Sequence, residues 1–121
     1  MKKILIVDDQ SDIRKLLKIL LEFKYDVLQT ATADEAGNII GTWSPDLVLL
    51  DIMMPGMNGL ELCKKLKSEE NGTTAKVIIV SARGTKNDIE IGLSAGADAY
   101  VVKPFSPLEL FSTIESLLSE S

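Results

Sequence analysis

Short, dense apolar runs alternate along the chain with longer segments in which apolar residues recur every three or four positions. Three of the runs are uninterrupted, ILIV at 4–7, LVLL at 47–50 and VIIV at 77–80; two less uniform ones lie near 25–31 and 98–102. Apolar runs of this length bounded by turn formers read as strands, and the periodic segments between them as helices, giving five successive βα repeats. Strands are expected at Lys3–Asp8, Tyr25–Ala31, Asp46–Asp51, Lys76–Ser81 and Asp98–Val102. The first helix is expected to bury Ile13, Leu16, Leu17 and Leu20, and the fifth Leu110, Phe111, Ile114, Leu117 and Leu118. Helix starts are marked by Thr32 with Glu35, Asn58 with Glu61, and Ser106 with Glu109, a capping oxygen three residues before a carboxylate; Pro107 takes the favoured first helical position.

Strands alternating with helices imply an α/β domain with a parallel sheet. The three continuous runs suit strands covered on both faces, whereas the second strand carries Asp26, Gln29 and Thr30 and the fifth is short. Strands two and five are therefore expected at the edges. With right-handed crossovers this gives a doubly wound five-stranded sheet of order 2-1-3-4-5, whose crevice lies beyond the carboxyl ends of strands one and three.

Composition narrows the chemistry. At 121 residues, without linker, repeat or low-complexity tract, one domain over 1–121 is expected, with no output domain inside it. The net charge of −5 and pI near 4.7 argue against direct binding of a nucleic-acid backbone. Histidine is absent, which removes His-dependent triads and His metal ligands. The single Cys63 forms no internal disulfide, and the apolar run Ile4–Val7 is too short for a signal peptide or a membrane span, so a cytoplasmic protein is expected.

The expected crevice gathers Asp8, Asp9 and Asp51. Singly, each aspartate reads as a residue that ends a strand or starts a turn. Together they repel one another and call for a cation, and an all-oxygen ligand set favours Mg²⁺ paired with phosphate. Ser81 ends the fourth strand and Lys103 follows the fifth, which ends at Val102, so the same edge offers a hydroxyl and an ammonium that can meet phosphoryl oxygens; singly they read as a turn serine and a solvated loop lysine. Plainer roles suffice elsewhere. Met53, Met54 and Met57 read as loop and packing residues, Cys63 and Trp43 as packing, and Glu69-Glu70 as a solvated helix end.

The segments VDDQ (7–10), LVLLDIMMPGMNG (47–59), VSAR (80–83) and GADAYVVKPF (96–105) strongly resemble, in order and over the whole chain, the receiver domains of two-component response regulators. The resemblance implies a chemotaxis-receiver-like, flavodoxin-like (βα)5 fold and a signalling switch rather than a turnover enzyme. It makes Asp51 the acceptor of phosphate from a phosphohistidine on a sensor histidine kinase or phosphotransfer protein. It further implies Mg²⁺ on Asp9, Asp51 and the Met53 carbonyl, with Asp8 acting through water, and Ser81 and Lys103 on the phosphoryl oxygens. The bond from Lys103 to Pro104 would be cis. Ser81 and Tyr100 would relay the change to the face formed by the fourth helix, fifth strand and fifth helix, read by an output domain or downstream protein. Monomer and phosphorylation-dependent dimer both remain open. Many DNA-binding members carry an acidic residue before the Tyr and an Arg on the last helix; Ala99 and Ser112 stand there in this chain.

Rival readings meet specific obstacles. An aspartate-nucleophile phosphohydrolase would place a second Asp two residues after Asp51, where this chain has Met53. A flavin-type cofactor binder would need a Ser/Thr/Gly-rich loop after the first strand, where Asp8 and Asp9 would repel a phosphate. A receiver that has lost phosphorylation would lack site residues, yet Asp8, Asp9, Asp51, Ser81 and Lys103 are all present.

Overall fold

The computed structural model describes residues 1–53, 59–68 and 74–119. Within them the chain runs β1 (Lys3–Val7), α1 (Ser11–Leu21), β2 (Asp26–Thr30), α2 (Ala33–Trp43), β3 (Leu47–Leu50), α3 (Gly59–Lys67), β4 (Lys76–Ser81), α4 (Lys86–Ser94), β5 (Ala99–Val102) and α5 (Pro107–Ser119). The strands form one parallel sheet in the order β2-β1-β3-β4-β5, as the apolar runs predict. No described helix is long and apolar enough to cross a membrane.

Alternation along each buried strand divides the interior into two cores. Leu5, Val7, Val48, Leu50, Val77 and Ile79 meet Ala36 and Ile40 of α2 and Leu62, Cys63 and Leu66 of α3. On the opposite face Ile4, Ile6, Leu47, Leu49, Ile78 and Val80 meet Leu17 and Leu21 of α1 and Leu110 and Ile114 of α5. The stripe on α1 differs from the expected one. Leu21 is fully buried and Leu16 is 45% exposed, because the 3.6-residue period centres the buried face on Ile13, Leu17, Leu20 and Leu21 and carries Leu16 past its edge.

The expected strands overrun the observed ones by a residue at several ends. At Asp8 and Asp51 the difference is nominal, since Asp8 N donates to Thr30 O at 3.1 Å and Asp51 N to Val7 O at 2.9 Å. These bonds extend the ladder one rung and fix both aspartates at the sheet edge. Glu35 N donates to Thr32 Oγ1 at 3.2 Å and Glu109 N to Ser106 Oγ at 3.4 Å, as the capping patterns require, while the Asn58 cap lies outside the described residues. A reciprocal box between Thr85 and Asp88 opens α4; its shorter acid escapes the usual Ser/Thr-x-x-Glu pattern.

Cys63 is buried with Sγ 3.7 Å from Ala95 O, and burial pushes its thiol up to about 11, as befits a packing residue. Trp43 packs against the α2–α3 core, with Lys3 Nζ 5.7 Å from its ring centroid. Met54, Met57, Glu69 and Glu70 lie outside the described residues.

At the edge opposite the strands' carboxyl ends, Asp98 Oδ2 accepts from Val77 N and from Lys67 Nζ, both at 2.8 Å. Asp98→Ala leaves a backbone amide at the start of β4 without its acceptor and should cost about 2 kcal/mol. Urea unfolding should show a lower midpoint at unchanged slope; an unaltered midpoint would contradict this role.

Candidate functional site

β1 and β3 are neighbours in register, Val7 opposite Leu50, so the residues that follow them emerge side by side. Asp8 and Asp51 are 2% and 4% exposed, Asp9 is exposed, and the three offer ligand oxygens all within 4.8 Å of one another. Burying two carboxylates together is unfavourable unless something compensates. Part of that compensation comes from Lys103, which follows β5 and whose amide donates to Ser81 O at 2.8 Å. Its Nζ lies 2.8 Å from Asp8 Oδ2 and 3.4 Å from Asp51 Oδ2. The bond from Lys103 to Pro104 is cis, as the resemblance implies.

The rest is local. Asp51 Oδ1 accepts from Met53 N at 2.9 Å, and Asp8 Oδ1 from Gln10 N at 2.9 Å. Burial raises the Asp51 carboxyl above its ordinary value; the Met53 amide opposes that, Asp8 adds to it, and Lys103 lowers it again. With all three aspartates ionised, one ammonium against three carboxylates leaves two negative charges uncompensated. Hard oxygen donors with that excess suit a divalent cation, so the donor set fits the expected metal.

Ser81 ends β4 on the same edge, fully buried, its Oγ accepting from Arg83 N at 3.1 Å. Tyr100 on β5 is half-buried rather than turned to solvent, and its hydroxyl donates to Arg83 O at 2.6 Å. Its ring lies over Gly92 of α4, where an added Cβ would come within 2.8 Å of two ring carbons.

Three participants escaped the sequence reading. Gln10 Oε1 lies 3.0 Å from Lys103 Nζ. Arg14 on α1 donates from Nη1 to Asp8 O at 2.6 Å and from Nε to Gln29 Oε1 at 3.2 Å, tying the loop after β1 to the edge strand. Arg83 Nε lies 2.9 Å from Met53 Sδ. For Gln10 and Arg14 the available signal was proximity to Asp8-Asp9; for Arg83 it was the step after Ser81.

The fold and this edge define a doubly wound α/β domain with a cation-ready carboxylate pocket at its switch point. The chain belongs to the response regulator receiver domain family, whose profile matches residues 4–115. It is 40% identical over 118 residues to the phosphate regulon transcriptional regulatory protein PhoB of Pseudomonas aeruginosa, covering 97% of this chain and 52% of that protein. It is 38% identical over 121 residues to the alkaline phosphatase synthesis transcriptional regulatory protein PhoP of Bacillus subtilis, covering 99% of this chain and 50% of that protein. The chain thus spans about half the length of these curated relatives. Among solved structures it matches a CheY-like receiver domain protein from Methanospirillum hungatei at TM-score 0.89 and 39% identity, over 99% of this chain and 95% of that one. The BeF3-activated DrrB receiver domain matches at TM-score 0.90 and 31% identity, over 99% of both chains.

The raised carboxyl of Asp51 has a consequence for stability. A group that binds its proton more readily when folded makes folding less favourable as pH rises from its ordinary value, 3.8, through the raised one, and the cost is complete above that. In chelator-treated buffer at neutral pH, Asp51→Asn should therefore raise Tm by a few degrees. The gain should fade as the pH falls toward the ordinary aspartate range, and a lower Tm for the variant at pH 7 would refute the assignment.

Proposed function

We propose that the chain, a member of the response regulator receiver domain family, acts as a signalling module rather than a turnover enzyme. We propose that its acceptor is Asp51, that its donor is a phosphohistidine on a sensor histidine kinase or phosphotransfer protein, and that residues 1–121 form one receiver unit. The observation that carries this reading is the buried Asp51 carboxylate, clustered with Asp8 and Asp9 and within reach of the Lys103 ammonium at the sheet's switch point.

In the transfer a carboxylate oxygen of Asp51 attacks phosphorus, the P–N bond to the donor imidazole breaks, and the imidazole leaves with the bonding pair. Such a transfer needs in-line placement and neutralised oxygens more than it needs acid–base groups, which suits a site without histidine. Lys103 Nζ stands where it can meet one phosphoryl oxygen, and the Ser81 hydroxyl lies on the same edge to donate to another. Asp9, Asp51 and the Met53 carbonyl would hold Mg²⁺, with Asp8 through a water; the ion supplies charge neutralisation at the transferring oxygens. Water attack on the same phosphorus returns the carboxylate without an outside enzyme.

The readout follows from contacts already present. Movement of Ser81 toward the phosphoryl group would open space beside Tyr100, and a Tyr100 that left Arg83 O would free the loop between β4 and α4. The α4-β5-α5 face would then be presented to an output domain or a downstream protein, in the cytoplasm, by a monomer or a phosphorylation-dependent dimer. Met53, standing where a phosphohydrolase needs an acid–base aspartate, disfavours that rival.

Incubation with Mg²⁺ and acetyl phosphate should add one phosphoryl group by intact mass, absent with chelator and in Asp51→Asn. Lys103→Ala should slow the reaction at least tenfold, the worth of a charge-assisted contact of about 1.4 kcal/mol or more. An adduct that survives in Asp51→Asn would remove Asp51 as the acceptor, and rapid multiple turnover of small phosphoesters would favour a hydrolase.

A further inference from the structure

The ammonium of Lys103 has three N–H donors, and the site supplies three acceptors. They are Asp8 Oδ2 at 2.8 Å, Gln10 Oε1 at 3.0 Å and Asp51 Oδ2 at 3.4 Å. The longest of the three is the one to Asp51. Gln10 sits at the N-cap of α1 with extended backbone, φ −85° and ψ 110°, yet its side chain makes no capping bond. Its main chain is pinned on both sides. Gln10 N donates to Asp8 Oδ1 at 2.9 Å, Gln10 O accepts from Arg14 N at 3.1 Å, and the Arg14 guanidinium grips Asp8 O. The side chain is thus turned away from the free amides of its own helix and toward the lysine.

Resting on Asp51 as the acceptor, we infer that Gln10 is a positioning residue for phosphoryl transfer: its Oε1 draws the Lys103 ammonium toward the β1 side and holds it off the Asp51 oxygen. A lysine closed tightly on that oxygen would tie up an electron pair needed for attack. A neutral amide does this without adding a fourth carboxylate to the cluster. Without it, one N–H of the ammonium loses its partner; the Asp8 contact is already short at 2.8 Å, so the 3.4 Å contact to Asp51 Oδ2 is the one left to close.

Two substitutions separate this role from a merely structural one. Gln10→Ala removes the acceptor and should leave Tm close to wild type, because no capping bond is lost. Gln10→Ser also fails to reach Lys103, but serine is a favoured N-cap, so Tm should rise. Both should slow phosphorylation by acetyl phosphate at saturating Mg²⁺ by about fivefold, the worth of one partly solvated hydrogen bond to a charged group. Slower phosphorylation in a more stable Gln10→Ser protein supports the inference, since a helix-stability role would move both readouts together. Wild-type rates in either variant, in protein that takes phosphate on Asp51, overturn it while leaving the receiver reading intact. Failure of wild-type protein to take phosphate overturns both.

Discussion

The carboxyl ends of β1 and β3 bring Asp8, Asp9 and Asp51 within ligand distance of one another, and their repulsion is the constraint around which this edge is organised. Among the described residues, Lys103 supplies the ion pairs to the two buried members. Reaching them requires the chain to cross the sheet to β5, and the Lys103 amide bond to Ser81 O sets that distance. The last rungs of the ladder are therefore part of the site. Shifting a register by one residue would turn Asp8 or Asp51 toward the opposite face.

The apolar sheet makes this arrangement affordable. Two cores of aliphatic side chains, one on each face, hold β1, β3 and β4 rigidly enough to keep like charges adjacent. The same packing desolvates Asp51 and raises its carboxyl, so stability and chemistry compete at that residue. A divalent ion would relieve the conflict.

From there the contacts lead in two directions. Toward β2, Arg14 joins the Asp8 carbonyl to Gln29, so the loop after β1 is braced against the edge strand. Toward α4, the Ser81 hydroxyl accepts from the Arg83 amide while the Tyr100 hydroxyl donates to the Arg83 carbonyl, so the two side chains share one loop residue. Gly92 lets the Tyr100 ring approach α4 closely, and any side chain there would displace it. A change at Ser81 therefore has a short covalent and hydrogen-bonded route to the exposed face.

Strand order and the switch-point aspartates were legible in the sequence because they follow from hydrophobicity and chain continuity. Continuous apolar runs had to lie inside, mixed ones at the edges, and residues following neighbouring parallel strands had to share an edge. Ser81 and Lys103 were legible for the same reason, one ending the fourth strand and the other directly following the fifth. Only the tertiary structure decided the partners: that Gln10 reaches Lys103 rather than capping α1, that Arg14 braces Asp8 through Gln29, and that Leu16 lies outside the buried stripe while Leu21 lies within it. Periodicity fixes which positions lie near a face. Side-chain direction and hydrogen-bond choice depend on groups from distant segments, and these come into reach only once the sheet and helices have packed.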